Sequence, residues 1–90
     1  MQIEIRKSFS RDAKKCTQTV KEAIAKAIGE MTNAASLTEL NNVKAMKGGK
    51  AARDAYRMRI DEYRICFYFQ DNVIELVRVL PRKIVYRYFP

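Results

Sequence analysis

The chain contains no histidine. It therefore lacks the side chain that most often moves protons near neutral pH and most often ligates metals. Any catalysis must rest on arginine, lysine, tyrosine or a carboxylate. Cysteine is scarce. Cys16 and Cys66 form no CxxC pair and no Cys/His cluster, so zinc-site spacing is missing. Both occupy apolar-compatible positions, as free thiols buried in a cytosolic protein do. No apolar run is long enough to span a membrane. Met1-Gln2-Ile3-Glu4-Ile5 lacks the apolar core of a signal peptide. A cytoplasmic protein with no membrane partner is expected. Acidic residues are outnumbered, 10 against 18 Lys and Arg. They offer no convincing metal site, so no cofactor is expected.

What remains is basic. Ninety residues with 48% apolar content make one small globular domain, residues 1–90. The net charge of +8 suits a nucleic-acid binder, although charge also serves solubility. The arginines are unevenly placed. Residues 1–45 hold Arg6 and Arg11, and residues 46–90 hold Arg53, Arg57, Arg59, Arg64, Arg78, Arg82 and Arg87. Lysine suffices for solubility, whereas the planar guanidinium grips phosphate with two hydrogen bonds.

Hydrophobic periodicity gives an outline. Gln2 to Arg6 alternates as a short strand. Phe9, Ala13, Cys16, Val20, Ile24, Ala27 and Ile28 recur every three or four residues. That spacing predicts one amphipathic helix of about five turns, capped by Ser8 or Ser10, with Gly29 as a weak point or exit. A second short helix is expected around Ser36–Asn41. Met46-Lys47-Gly48-Gly49-Lys50 reads as a turn. Its glycines could let backbone N–H groups approach a phosphate, but a plain connector fits as well.

Three strands are predicted next, Ala55–Ile60, Tyr63–Gln70 and Val73–Leu80, joined by turns at Asp61-Glu62 and Asp71-Asn72. Alternation puts Arg57, Arg59, Arg64, Cys66 and Tyr68 on one side of the sheet. Tyr56, Met58, Ile60, Tyr63, Ile65, Phe67 and Phe69 fall on the other. The third strand is ambiguous, because Glu75 and Arg78 differ in parity. The expected architecture is α+β, with two helices packed on one face of an antiparallel sheet. An N-terminal strand and a C-terminal three-strand meander complete it. The tail brings Arg82 and Tyr86 toward the arginine face.

These motifs resemble the RelE/ParE superfamily of toxins from toxin–antitoxin pairs. Phe9 through Lys15 is similar to its F-x-[KR]-[DE]-x-K-K helix start, and Met46-Lys47-Gly48 stands where Leu-x-Gly is usual. Tyr56 through Ile65 resembles its Y-R-x-R-x-G-D-Y-R-[IV] core, and Val79 through Tyr86 its closing V-x-x-R-x-x-[VI]-Y. Tyr86 downstream of Arg82 favours the RelE-like ribonuclease branch. That resemblance implies an mRNA endonuclease acting in the ribosomal A site, held in check by a cognate antitoxin. No homo-oligomer is expected without the antitoxin. Arg64 matches the arginine that steadies the scissile phosphate, and Arg82 the arginine near the leaving group. Tyr86 matches the tyrosine that acts on the attacking 2′-hydroxyl. Arg57 and Arg59 match RNA-holding strand positions, with Lys47, Lys50 and Lys83 as further basic contacts.

Two departures stand out. Asp61 replaces glycine, and Pro81 replaces a histidine or lysine and removes a backbone donor. A ParE-like inhibitor of DNA gyrase, a non-catalytic nucleic-acid-binding module and an inactive toxin remain alternatives.

Overall fold

Alternating apolar residues build one five-stranded sheet in the computed structural model, which describes residues 1–90. The strands are β1 (Gln2–Ile5), β2 (Val43–Ala45), β3 (Ala55–Ile60), β4 (Tyr63–Gln70) and β5 (Val73–Pro81). Their spatial order is β1-β5-β4-β3-β2. β3, β4 and β5 form the expected antiparallel meander. β1 runs parallel to β5, so the sheet is mixed rather than wholly antiparallel. The β4–β5 turn has Asp71 at φ 52° and Asn72 at φ 64°. A two-residue hairpin needs both in that region, and Asp and Asn tolerate it.

One face of the sheet carries the main core. Met58, Ile60, Ile65, Phe67, Ile74, Leu76 and Val79 pack against Phe9, Val20, Ile24, Ala27 and Met31. Phe67 is completely buried. Truncating it to alanine would cost roughly 3–5 kcal/mol through lost contacts and a residual cavity.

The helical layer departs from the expected single helix. It consists of α1 (Lys7–Lys14) and α2 (Gln18–Asn33). The Lys15 and Cys16 N–H groups bond back only three residues, to Asp12 O and Ala13 O, both at 3.1 Å. This tightens and ends α1. Thr17 then turns extended, and its Oγ1 accepts the Val20 N–H at 3.3 Å as the cap of α2. Cys16 thus lies between helices, while the apolar spacing runs on across the break. Neither Ser8 nor Ser10 caps α1, which starts before both. α2 continues through Gly29 to Asn33. The helix expected around Ser36–Asn41 is a single 3₁₀ turn, Leu37–Glu39. No helix is long and apolar enough to cross a membrane.

α1 also closes a sheet edge. β1 pairs with only Val73–Leu76 of β5. Beyond it, Ser8 Oγ donates to Val77 O, and the Val79 N–H donates to Asp12 Oδ2 at 3.1 Å. Backbone groups that would otherwise be bare are therefore satisfied.

The ambiguity of the third strand has a cause. Cys66 pairs with Arg78, but Phe67 pairs with Leu76, so Val77 is an extra residue in a β-bulge. The bulge flips the parity of β5. Leu76 and then Val79 both reach the helical side, while Val77 and Leu80 join a second core on the opposite face. That second core includes Ala55 and Cys66, and it is covered by Met46, Val85 and Phe89. The last two residues bracket a short helix, α3 (Val85–Tyr88). The arginine side of the sheet is therefore half apolar, and the tail is folded onto it.

Candidate functional site

The pleat and register gather the arginines. In β3, Arg57 and Arg59 point away from the helices, and Arg59 pairs directly with Arg64 of β4. On the other side of β3, Lys44 of β2 pairs with Arg57. Like charges directly opposite one another destabilise a sheet. Here four such charges sit together.

Two adjoining hollows result. The first, about 340 Å³, is lined by Asn42, Lys44, Arg57, Arg59 and Arg64. The second, about 200 Å³, is lined by Arg57, Arg64, Arg82, Val85 and Tyr86. Arg57 and Arg64 line both. No carboxylate lines either hollow, and no ion pair engages Arg57, Arg59 or Arg64.

Neutral acceptors aim these cations. Arg64 Nη1 donates to Tyr63 O at 2.8 Å and Asp61 O at 3.3 Å. Arg59 Nη2 donates to Asn42 Oδ1 at 3.3 Å. Arg57 Nη1 reaches Ala45 O at 3.5 Å. Burial, followed by the charges of Arg82, Arg59 and Arg57 against the opposing pull of Glu62, lowers the pKa of Arg64. An arginine still stays cationic at neutral pH. The cluster thus holds positive charge without compensation, which an arriving phosphate would relieve.

The tail supplies the rest. Arg82 opens a 3₁₀ turn, Arg82–Ile84. Its N–H donates to Glu62 O at 2.9 Å, fastening the tail to the β3–β4 turn. Its side chain is exposed, and its 4.0 Å approach to Glu62 is worth little in water. Tyr86 is 66% exposed. The guanidinium carbon of Arg57 lies 5.6 Å from its ring centroid. Arg64, Arg82, Tyr86 and Arg57 therefore share one hollow.

Other sequence-predicted contacts fall outside. Lys47 and Lys50 are exposed beside the glycine turn, and Lys83 is exposed on the turn after β5. None of the three lines either hollow. Tyr68 packs at 5.2 Å against Phe89 and beneath Arg6, at the edge of the second core. Lys44 and Asn42 were not anticipated. Their signal was Val43-Lys44-Ala45, an alternation three residues long inside a polar stretch. Both departures from the family motif are accommodated. Asp61 sits at φ 52°, a region that favours glycine. Pro81 ends β5, where a missing donor disturbs no further pairing. No three His, Cys, Asp or Glu side chains come together to hold a metal.

No family model matches the chain. Over its whole length it is 34% identical to Toxin RelE3 of Methanocaldococcus jannaschii, an alignment of 91 residues covering 100% of each chain. Its fold is similar to that in the RelB-RelE antitoxin–toxin complex from Methanococcus jannaschii. That likeness has a TM-score of 0.78 at 32% identity over 97% of this chain and 99% of that one. A more distant likeness in fold, to the intact E. coli RelBE complex, has a TM-score of 0.65 at 17% identity over 89% and 94%. With full-length identity at this level and the same five-stranded architecture, the chain belongs to the RelE family of toxin–antitoxin toxins.

Proposed function

We propose that this protein is a ribosome-dependent endoribonuclease that cuts mRNA in the A site, and that a cognate antitoxin restrains it. The observation that carries this reading is the meeting of Arg57, Arg64, Arg82 and Tyr86 in one hollow free of carboxylates. RNA can be cut by its own 2′-hydroxyl without metal. The 2′-oxygen attacks the adjacent phosphorus, the P–O5′ bond breaks, and a 2′,3′-cyclic phosphate forms. Tyr86, as its phenolate, takes the proton of the 2′-hydroxyl and becomes a neutral phenol. Arg57, whose guanidinium lies over that ring, offsets the negative charge of the phenolate that begins the step. Arg64 grips the non-bridging oxygens, since its Nη1 hydrogen bonds leave the rest of its fork available. Arg82 faces the departing 5′-oxygen. Arginine is a poor acid, so Arg82 stabilises charge there while water supplies the proton.

The site is shallow and Tyr86 is largely exposed. It holds one side of a phosphate and leaves the other open. Positioning of the message by the ribosome supplies the missing alignment, an effect that can be worth several kcal/mol of barrier. The uncompensated cations also suit an antitoxin whose acidic or carbonyl groups cover them.

The test is a reconstituted translation system with a defined mRNA, with 5′ ends mapped by primer extension. Wild-type protein is expected to cut within A-site codons, and Arg82→Ala and Tyr86→Phe to cut far less. Intact mRNA with folded wild-type protein would refute the reading.

A further inference from the structure

α3 is only four residues long and is held at both sides by arginines of the sheet. Val85 and Phe89, one turn apart, sink into the second core. The Phe89 N–H closes the turn on Val85 O at 2.8 Å. Between them, Tyr86 and Tyr88 project outward. Arg57 of β3 lies 5.6 Å from the Tyr86 centroid, and Arg78 of β5 lies 5.5 Å from the Tyr88 centroid. A helix this short has little stability of its own, so its seat on the sheet depends on these contacts.

Arg78 is itself fixed. Its Nε and Nη2 donate to the two Asp12 carboxylate oxygens at 2.7 and 3.1 Å. The pair is mostly buried, with the Asp12 side chain 12% exposed. Asp12 Oδ2 also accepts the Val79 N–H. A bidentate pair pinned to backbone holds a guanidinium in one place, and that guanidinium lies over the Tyr88 ring. The β-bulge at Val77 places Arg78 on this face rather than among the helices.

We propose that Asp12 and Arg78 are positioning residues, which act through the Tyr88 ring to seat α3 and so aim Tyr86 at its substrate. The inference rests on the nuclease reading for its consequence but not for its geometry. Neither Asp12, Arg78 nor Tyr88 lines the hollow that holds Tyr86. Their effect is on alignment, where a displacement of about 1 Å can cost up to about 100-fold in rate.

The experiment compares wild type, Tyr88→Ala, Tyr88→Phe and Arg78→Lys. Tyr88 is 51% exposed, so truncating it is expected to leave the unfolding midpoint almost unchanged. Two readouts are taken: amide exchange at Phe89, and the single-turnover cleavage rate at saturating protein on programmed ribosomes. The expected result is faster Phe89 exchange in Tyr88→Ala and Arg78→Lys, with normal exchange in Tyr88→Phe, which keeps the ring. The cleavage rate is expected to fall about 10-fold or more in the first two, with the half-saturating concentration unchanged and full rate in Tyr88→Phe. Unchanged exchange in Tyr88→Ala would overturn the tether, whether or not wild type cleaves. Loss of cleavage in Tyr88→Phe as well would also overturn it, because the hydroxyl would then be the active part. Absence of cleavage by wild type would instead refute the nuclease reading and leave the exchange result to decide the tether.

Discussion

The guanidinium of Arg57 lies over the ring of Tyr86, 5.6 Å from its centroid, and the two residues come from opposite ends of the arginine motif region. One is on a central strand, the other on the tail. Arg57 lines both hollows, so it joins the basic strand cluster to the tyrosine. Arg57→Ala is expected to lower single-turnover cleavage on the order of 10²-fold, the loss typical of removing one transition-state donor. Arg57→Lys is expected to recover part of it, since the charge returns but the planar, many-donor guanidinium does not. Equal rates for all three proteins would separate Arg57 from the chemistry.

Arg59 is exposed and faces Arg64 across the strand pair without an ion-pair partner. We propose that it holds backbone phosphate. Arg59→Ala is expected to weaken binding of short RNAs regardless of sequence. It should also flatten the dependence of log affinity on log salt by about 0.7, one single-strand phosphate contact. Anisotropy titrations at several salt concentrations measure this directly.

The meander was legible because β3 and β4 alternate cleanly, and because Asp-Glu and Asp-Asn mark its turns. The arginine face followed from parity alone. The break between α1 and α2 was hidden because Phe9, Ala13, Cys16 and Val20 keep helical spacing across it. Only Thr17 signals the new cap. β2 escaped notice because three residues cannot establish a period, and Lys44 was lost with it. The facing of β5 was unreadable because the bulge at Val77 reverses parity mid-strand. The folding of the tail onto Cys66 and Val77 depends on Val85 and Phe89 finding an apolar patch on the face otherwise marked by arginine. Nothing in a linear pattern reports that meeting.

Cys66 is completely buried beneath that tail, and burial pushes its thiol up to about 12 from an ordinary 9.0. It is expected to resist alkylation at pH 8 in the native state and to react once the chain unfolds. The sign of the linkage is also fixed. The native state keeps this proton where the unfolded state loses it, so the stabilising contribution is complete below about pH 9 and declines as pH rises from about 9 to 12. Urea midpoints across that range should fall in wild type and fall less in Cys66→Ala.

Gly48 adopts φ 140°, ψ 33°, where side chains are strained. An added Cβ would meet Ala52 Cβ at an ordinary 3.7 Å, so the cost comes from the backbone rather than from a clash. Gly48→Ala is expected to lower stability by about 1 kcal/mol or more. A urea midpoint indistinguishable from wild type would contradict this.

The most direct test of the central claim concerns the 2′-hydroxyl. An mRNA carrying a single 2′-deoxynucleotide on the 5′ side of the mapped cut is placed in the A site and compared with its all-ribose counterpart at saturating protein. The ribose message is expected to be cut, leaving a 2′,3′-cyclic phosphate and a 5′-hydroxyl, and the deoxy message to stay intact at that position. Equal cleavage of both would mean that water, not the RNA's own hydroxyl, attacks the phosphate, and would contradict the roles given to Tyr86, Arg64 and Arg82.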